Sequence, residues 1–208
     1  MSEGHRAGAP LIAIDGPAGA GKSTVSRAVA LRLGLDRLDT GAMYRSVAWE
    51  ALRLGVDPGD QRAVADIAAA ADIEVAKEVV INGVDVTQAI RTPEVSRVVS
   101  IVAANPDVRR ELVTRQRRWA AQRKGAVIEG RDIGSVVFPD ATLKVYLTAS
   151  PEERARRRVD ESPDGVATRD RLDSTRQASP LTQASDAHVL DTTGRSVEDV
   201  VEEVLSWL

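Results

Sequence analysis

Apolar residues recur along the chain with two different periods. Unbroken runs such as Leu11-Ile12-Ala13-Ile14, Ala126-Val127-Ile128 and Leu143 to Leu147 predict buried strands, the first over 10–15. The residues Leu35 to Asp39 predict a short second strand and His188 to Asp191 a last one. Between these runs the spacing becomes helical. Tyr44, Val47, Ala48, Ala51 and Leu52 fall at i, i+3, i+4, i+7 and i+8, predicting a helix opened by Thr40-Gly41 and stopped by Gly55. Further helices are predicted over 22–33, closed by Gly34, and near 61–71. Thr92-Pro93 opens another, Asn105-Pro106 breaks it, and a long helix follows to about Lys124. Ser150-Pro151-Glu152-Glu153 reads as a capping box, so the arginine-rich run behind it is helical. Ser196 caps a final helix with Val197, Val200, Val201, Val204, Leu205 and Leu208 on one face.

Two stretches interrupt this alternation. Val79 to Val86, with Asn82-Gly83 at its centre, predicts a β-hairpin in a small lobe inserted between about 72 and 90. Residues 161–168 form a turn-rich hinge before a short polar helix over roughly 168–177. Strands alternating with helices imply a parallel sheet wrapped on both faces, in one α/β domain.

Composition narrows the function classes more than the fold. The chain has 208 residues, of which 43% are apolar and 28% charged, with a formal charge of −3. That balance gives no general reason to expect a nucleic-acid or membrane partner. There is no cysteine, hence no disulfide framework, thiol nucleophile or cysteine-based zinc site, and the two histidines are far apart. Residues 1–9 lack the apolar core of a signal peptide and are expected to be a loose tail, with the cytoplasm as the expected location.

The chemistry is concentrated after the first strand. Gly16-Pro17-Ala18-Gly19-Ala20-Gly21-Lys22-Ser23 is G-x-x-x-x-G-K-[ST], between a predicted strand and a predicted helix. Its glycines let consecutive backbone N–H groups turn toward a polyphosphate, and the following helix brings its positive end to the same point. Lys22 is a cation for the β- and γ-phosphates, and the Ser23 hydroxyl is placed to ligate Mg²⁺. Residues 16–24, through Thr24, are therefore assigned to ATP, with Ser23 as the metal ligand.

Exclusion then separates the classes that share such a loop. No Asn-Lys-x-Asp stretch is present to read guanine, and Asp191-Thr192-Thr193-Gly194, the one D-x-x-G match, is a strand-to-helix turn. Neither 126–129 nor 143–147 ends in the Asp-Glu of a motor or transporter ATPase. What stands out is arginine: seven basic residues against one acid over 109–124, and seven arginines against seven acids over 151–176. Glu152 with Arg156 and Glu153 with Arg157 are i,i+4 pairs worth roughly 0.2–0.5 kcal/mol each on a solvated face. The other reading is that some arginines gather phosphates, which their planar, permanently charged forks bind bidentately. An arginine-rich helix beside a hinge is what a closing lid needs. On the basic 109–124 helix, Trp119 shares a face with Val108 and Leu112, which favours core packing over a nucleic-acid contact.

Four blocks, in order, resemble the bacterial cytidylate kinases among the nucleoside monophosphate kinases. They are residues 15–23 of the loop, Leu38 to Arg45 (LDTGAMYR), Ile128 to Gly134 (IEGRDIG) with Val136 to Ala141 (VVFPDA), and Arg169 to Leu181 (RDRLDSTRQASPL). The likeness runs from about residue 10 to the end. It implies a P-loop three-layer fold on a central five-stranded parallel sheet, within one kinase domain over 10–208. That domain would include an acceptor-binding insertion at about 40–108 and a short lid at about 154–176. It also implies γ-phosphoryl transfer from ATP to CMP and dCMP with Mg²⁺, by a monomer with no nucleic-acid or membrane partner.

The resemblance carries residue roles with it. Thr40 and Arg45 match the acceptor's phosphate and sugar end, and Ser100, Arg109 and Asp132 match base-reading positions. Cytosine offers a 4-amino donor beside N3 and O2 acceptors, so an acid and a serine for the amine and an arginine for the acceptors are complementary. Uracil reverses that pattern, and an unpaired buried polar group costs about 1–3 kcal/mol. Arg131 and Arg176 match phosphate-binding arginines, and Arg169 and Asp173 the sugar side. Arg154, Arg157 and Arg158 fall where the family's lid helix begins. Lys22, Arg131, Arg157, Arg158 and Arg176 are thus the expected catalytic set. Asp15 is expected to act around Lys22 or Mg²⁺. The inserted lobe and the lid, ten residues between Arg158 and Arg169, are shorter than in longer members.

Overall fold

A computed structural model describes residues 9–157 and 183–208. Most of the expected N-terminal tail, the 161–168 hinge, the 168–177 helix, and Arg158, Arg169, Asp173 and Arg176 lie outside the described residues.

Five strands build the main sheet: β1 (Leu11–Asp15), β2 (Asp36–Asp39), β6 (Ala126–Glu129), β7 (Leu143–Thr148) and β8 (His188–Asp191). Their spatial order is β2-β6-β1-β7-β8, and every pairing is parallel. β1 is central, paired with β6 through Ile14↔Glu129 and with β7 through Asp15↔Tyr146. The carboxyl ends of the strands therefore converge on one edge, where open α/β sheets bind ligands.

Alternation along β1 divides the interior. Ala13 joins Leu38, Ala126 and Ile128 under α2 (Thr40–Arg53), α3 (Gln61–Ala70), α4 (Pro93–Ala104) and α5 (Pro106–Ala121). Ile12 and Ile14 join Val127, Val145, Leu147 and Leu190 under α1 (Lys22–Leu33) and α7 (Val197–Leu205). The result is the three-layer arrangement expected from strand–helix alternation.

Local signals act where the sequence puts them. Asp39 caps α2 through Ala42 N, Asn105 caps α5 through Asp107 N and Val108 N, and Ser196 caps α7 through Asp199 N. Ser150 Oγ caps α6 (Pro151–Arg156) through Glu153 N at 3.2 Å. The capping box is only half made, because Ser150 N donates to Thr193 Oγ1 at 2.8 Å. The Glu153 carboxylate instead takes both Arg156 and Arg157. Arg156 thus pairs at i,i+3 with Glu153, correcting the expected Glu152 partner. One acid cannot reach back to the cap while chelating two guanidiniums.

The inserted piece is a three-stranded antiparallel sheet of β3 (Ile73–Val75), β4 (Val79–Ile81) and β5 (Val84–Asp85). Asn82 and Gly83 both adopt positive φ between β4 and β5, as a two-residue hairpin turn requires. Glu50 on α2 anchors this sheet through Asn82 Nδ2 at 3.2 Å.

The basic helix resolves into structural latches. Arg115 donates to the Ala68, Ala69 and Ala71 carbonyls at the end of α3, and Arg117 to the Val136 and Val137 carbonyls. α5 stops at Ala121, short of the expected Lys124, and Arg123 folds back over the Trp119 ring at 3.7 Å while donating to Asp36. Trp119 packs against the core, as its spacing predicts. No helix among the described residues is long and apolar enough to cross a membrane.

Candidate active site

The strand ends open into a cleft of about 740 Å³. One wall is the loop after β1. Gly16 (φ 142) and Gly19 (φ 77) need backbone angles that side chains rarely adopt. A Cβ on Gly16 would sit 2.1 Å from the Leu147 carbonyl oxygen, and one on Gly19 would sit 2.6 Å from that of Arg154. The loop is thus pressed between β7 and α6, and it leads through Pro17, Ala18, Ala20 and Gly21 into the start of α1. Lys22 Nζ lies over the loop, donating to the Gly16 and Pro17 carbonyls at 2.7 Å each. Ser23 and Thr24 line the cleft beside it.

The acid facing this loop comes from β6. Glu129 is 2% exposed, and its Oε1 accepts from Arg37 Nη1 at 2.6 Å. Its Oε2 has no hydrogen-bond partner of normal geometry among the described residues. Burial pushes its pKa up to about 7, with Asp39 adding to the rise and Arg37, Lys22 and the Ser23 hydroxyl opposing it. A buried carboxylate oxygen without a partner, next to a loop hydroxyl, is the donor set that a hard cation accepts. Glu129 has only a weak signal in the sequence, an apolar strand ending in one acid and not in an Asp-Glu pair.

The opposite end of the cleft holds the expected base-reading trio. Arg109 from α5 and Asp132, just beyond β6, form an ion pair with side chains 6% and 7% exposed. Ser100 on α4 is also buried and lines the same end. The Tyr44 ring lies against Arg109, 5.7 Å from guanidinium to ring centre. Asp132 heads a π-helical turn over Ile133–Val137 yet makes no side-chain cap to it.

Between the two ends stand the remaining expected residues. Arg131 donates to the Gly16 carbonyl at 2.8 Å, spanning from the segment after β6 to the loop. Thr40 Oγ1 donates to the Glu129 carbonyl at 2.7 Å. Arg45 lines the cleft and donates to the Ile90 carbonyl and to Ser96 Oγ. Arg157 reaches from the end of α6 to Thr192, donating to its hydroxyl at 2.8 Å and its carbonyl at 2.9 Å. Arg154 Nη1 donates to the Ala18 carbonyl. Thr192, which sits under the loop through Ala20 O, and Arg91, which faces Asp39 at 3.6 Å, are among the further residues that border the cleft. Arg91 belongs to no motif, and Thr192 belongs only to the D-x-x-G match, a strand-to-helix turn.

Asp15 lies within the field of Lys22, as expected, and has a second attachment besides. It accepts from Ile133 N at 2.8 Å and Gly134 N at 2.7 Å, so its hydrogen bonds go to the turn beyond β6. Burial pushes its pKa up to about 6, against those two hydrogen bonds, with Asp132 adding to the rise and Lys22 opposing it.

The chain is similar to known proteins in sequence and in fold. The family model described as cytidylate kinase matches residues 12–208. A cytidylate kinase of Desulfitobacterium hafniense is 49% identical, over 94% of this chain and 90% of its own. A bifunctional pantoate ligase/cytidylate kinase of Parasynechococcus marenigrum is 51% identical over 94% of this chain, which spans only 43% of that relative's length. Among solved structures, a gluconokinase from Sinorhizobium meliloti aligns at TM-score 0.54 and 14% identity, covering 97% of this chain and 92% of its own. The shikimate kinase of Acinetobacter baumannii, solved with shikimate, aligns at 0.51 and 16%, covering 96% and 92%. Those two likenesses bear on the fold alone.

Proposed function

The chain belongs to the cytidylate kinase family, and on that premise we propose that it transfers the γ-phosphoryl of ATP to CMP and dCMP, yielding ADP and the cytidine diphosphate. The observation that carries this reading is a single cleft with a triphosphate cradle at one end and the buried Arg109–Asp132 pair with Ser100 at the other. A loop that only sensed nucleotide would have no use for the second end.

The residues divide by charge. Loop 16–21 and Lys22 take the donor phosphates, backbone N–H groups holding them and the ammonium exchanging its carbonyl partners for phosphate oxygens. Arg45, Thr40 and Arg131 serve the acceptor phosphate, with Arg131 near enough to the loop to bridge both substrates. Asp132 and Ser100 take the cytosine amine, and Arg109 its N3 and O2 acceptors. An oxygen of the acceptor phosphate bonds to the γ-phosphorus as the bond to the β–γ bridging oxygen breaks, and ADP leaves with that electron pair. The attacking oxygen is already anionic, so no strong general base is required. Positioning and charge neutralisation carry the rate.

Ser23 and Glu129 fit a magnesium ion by their chemistry and would hold it at the loop. When bound, the ion neutralises charge on the β- and γ-phosphates. Arg157, with Arg158 and Arg176 from the proposed lid at about 154–176, would offset charge on the transferring group. Arg169 and Asp173 would serve the sugar. Residues 10–208 act as one domain, the acceptor being held by the insertion at about 40–108. We infer a monomer acting on small nucleotides in the cytoplasm. The test is chromatography of products from ATP, Mg²⁺ and CMP. CDP and ADP in equal amounts, both abolished by EDTA, are expected; ADP formed without CDP would refute the reading.

A further inference from the structure

Three consecutive residues at the end of β1 each hold the segment that follows β6. The Ile14 carbonyl accepts from Gly130 N at 3.0 Å, and the Gly16 carbonyl from Arg131 Nη1 at 2.8 Å. Between them, the two carboxylate oxygens of Asp15 accept from Ile133 N and Gly134 N, one each. Any residue supplies a backbone carbonyl. Two acceptors side by side, facing successive N–H groups in a site 5% exposed, require the carboxylate.

Those two N–H groups open the π-helical turn, whose backbone bonds begin at the Asp132 carbonyl, accepting from Val136 N and Val137 N. In such a position the aspartate that precedes the turn ordinarily folds back to cap its first N–H groups. Asp132 does not, and its carboxylate meets Arg109 instead. The capping role has passed to a residue of the neighbouring strand. That substitution leaves the Asp132 side chain at the floor of the cleft.

We propose that Asp15 is a positioning residue for acceptor selection: by capping the 133–137 turn from β1, it keeps the Asp132 carboxylate on Arg109 and facing the acceptor. Without it, the turn's exposed donors compete with Arg109 for Asp132. The inference rests on the reading of the cleft as that of a CMP kinase. It also ties the two ends of the cleft together, since Asp15 immediately precedes the phosphate loop.

The test is Asp15→Asn, because an amide offers one acceptor oxygen and sets a donor against the second N–H. KM for CMP should rise about tenfold and the preference for CMP over UMP in kcat/KM fall about tenfold, as expected when one buried donor loses its partner. KM for ATP should be unchanged. A merely structural role would lower thermal stability and leave the CMP:UMP ratio alone, and that result would overturn the proposal. Should Asp15→Asn fail to fold, Asp15→Ser, smaller and still bearing an acceptor oxygen, repeats the measurement. Failure of both to fold would assign Asp15 to the fold instead and equally overturn it. Absence of CMP-dependent turnover in the wild type would remove the reading beneath the proposal. Wild-type turnover with unaltered selectivity in the variants would remove the proposal alone.

Discussion

Arg109 and Asp132, 23 residues apart in sequence, meet as a buried ion pair at the floor of the cleft. A pair this dry gains little net stability, because desolvation offsets most of the attraction, but removing one partner strands the other charge. Asp132→Ala should therefore cost about 3–5 kcal/mol in urea unfolding, while Arg109→Met with Asp132→Leu together should recover most of it. Neither should recover CMP phosphorylation. A double variant as unstable as the single one would contradict this account of the pair.

The phosphate loop tolerates no side chain at its tightest points. Gly19→Ala places a methyl group against the Arg154 backbone at positive φ, so donor binding should be lost before acceptor binding. Equilibrium titrations with ATP and with CMP separate the two. Equal weakening of both ligands would mean that the loop does not define the donor end.

Lys22→Met removes the ammonium that sits over the loop carbonyls. A preorganised charge aimed at the transferring group is worth roughly 10²–10³-fold in kcat. Steady-state kinetics should show that loss in kcat, with a smaller change in KM for CMP. A change confined to KM for ATP would make Lys22 a binding residue only.

Acid–base behaviour follows from burial. Asp15 holds its proton to about pH 6 in the folded protein, against an ordinary value of 3.8. Between those values the folded state binds more protons than the unfolded chain, so the contribution of Asp15 to stability falls as pH rises from about 4 to 6. The loss from this group is about 3 kcal/mol at most. Glu129 has the same sign and extends the window to about 7. Urea unfolding from pH 4 to 7 should give a shallower decline for Asp15→Asn than for wild type. Parallel curves would refute the assignment.

The sequence displayed what is local. β1, the loop and α1 are contiguous, so their strand, glycine and capping signals are read directly from residues 11–34. The hairpin at Asn82-Gly83 and the cap at Ser196 are equally legible, whereas Asn105 reads as a helix break and the structure shows that it also caps α5. The trio of Ser100, Arg109 and Asp132 came from a family resemblance, since no spacing in a single chain reveals that α4, α5 and the turn after β6 converge. The hydrogen bonds of Asp15 are hidden for the same reason: its partners lie 118 and 119 residues away. Arg91 has no local pattern, Thr192 lies in a D-x-x-G turn that carries no such role by itself, and Arg115 and Arg117 of the basic helix cap carbonyls that only the tertiary fold brings near.

The most direct test of the central claim is a coupled assay for ADP release with ATP and Mg²⁺, offering CMP, dCMP, UMP, AMP and dTMP separately to the wild-type protein. Turnover with CMP and dCMP and little with the others is the predicted result. Turnover favouring a different monophosphate, or ADP release indifferent to the acceptor, would contradict the assignment of the Arg109–Asp132 end of the cleft to cytosine.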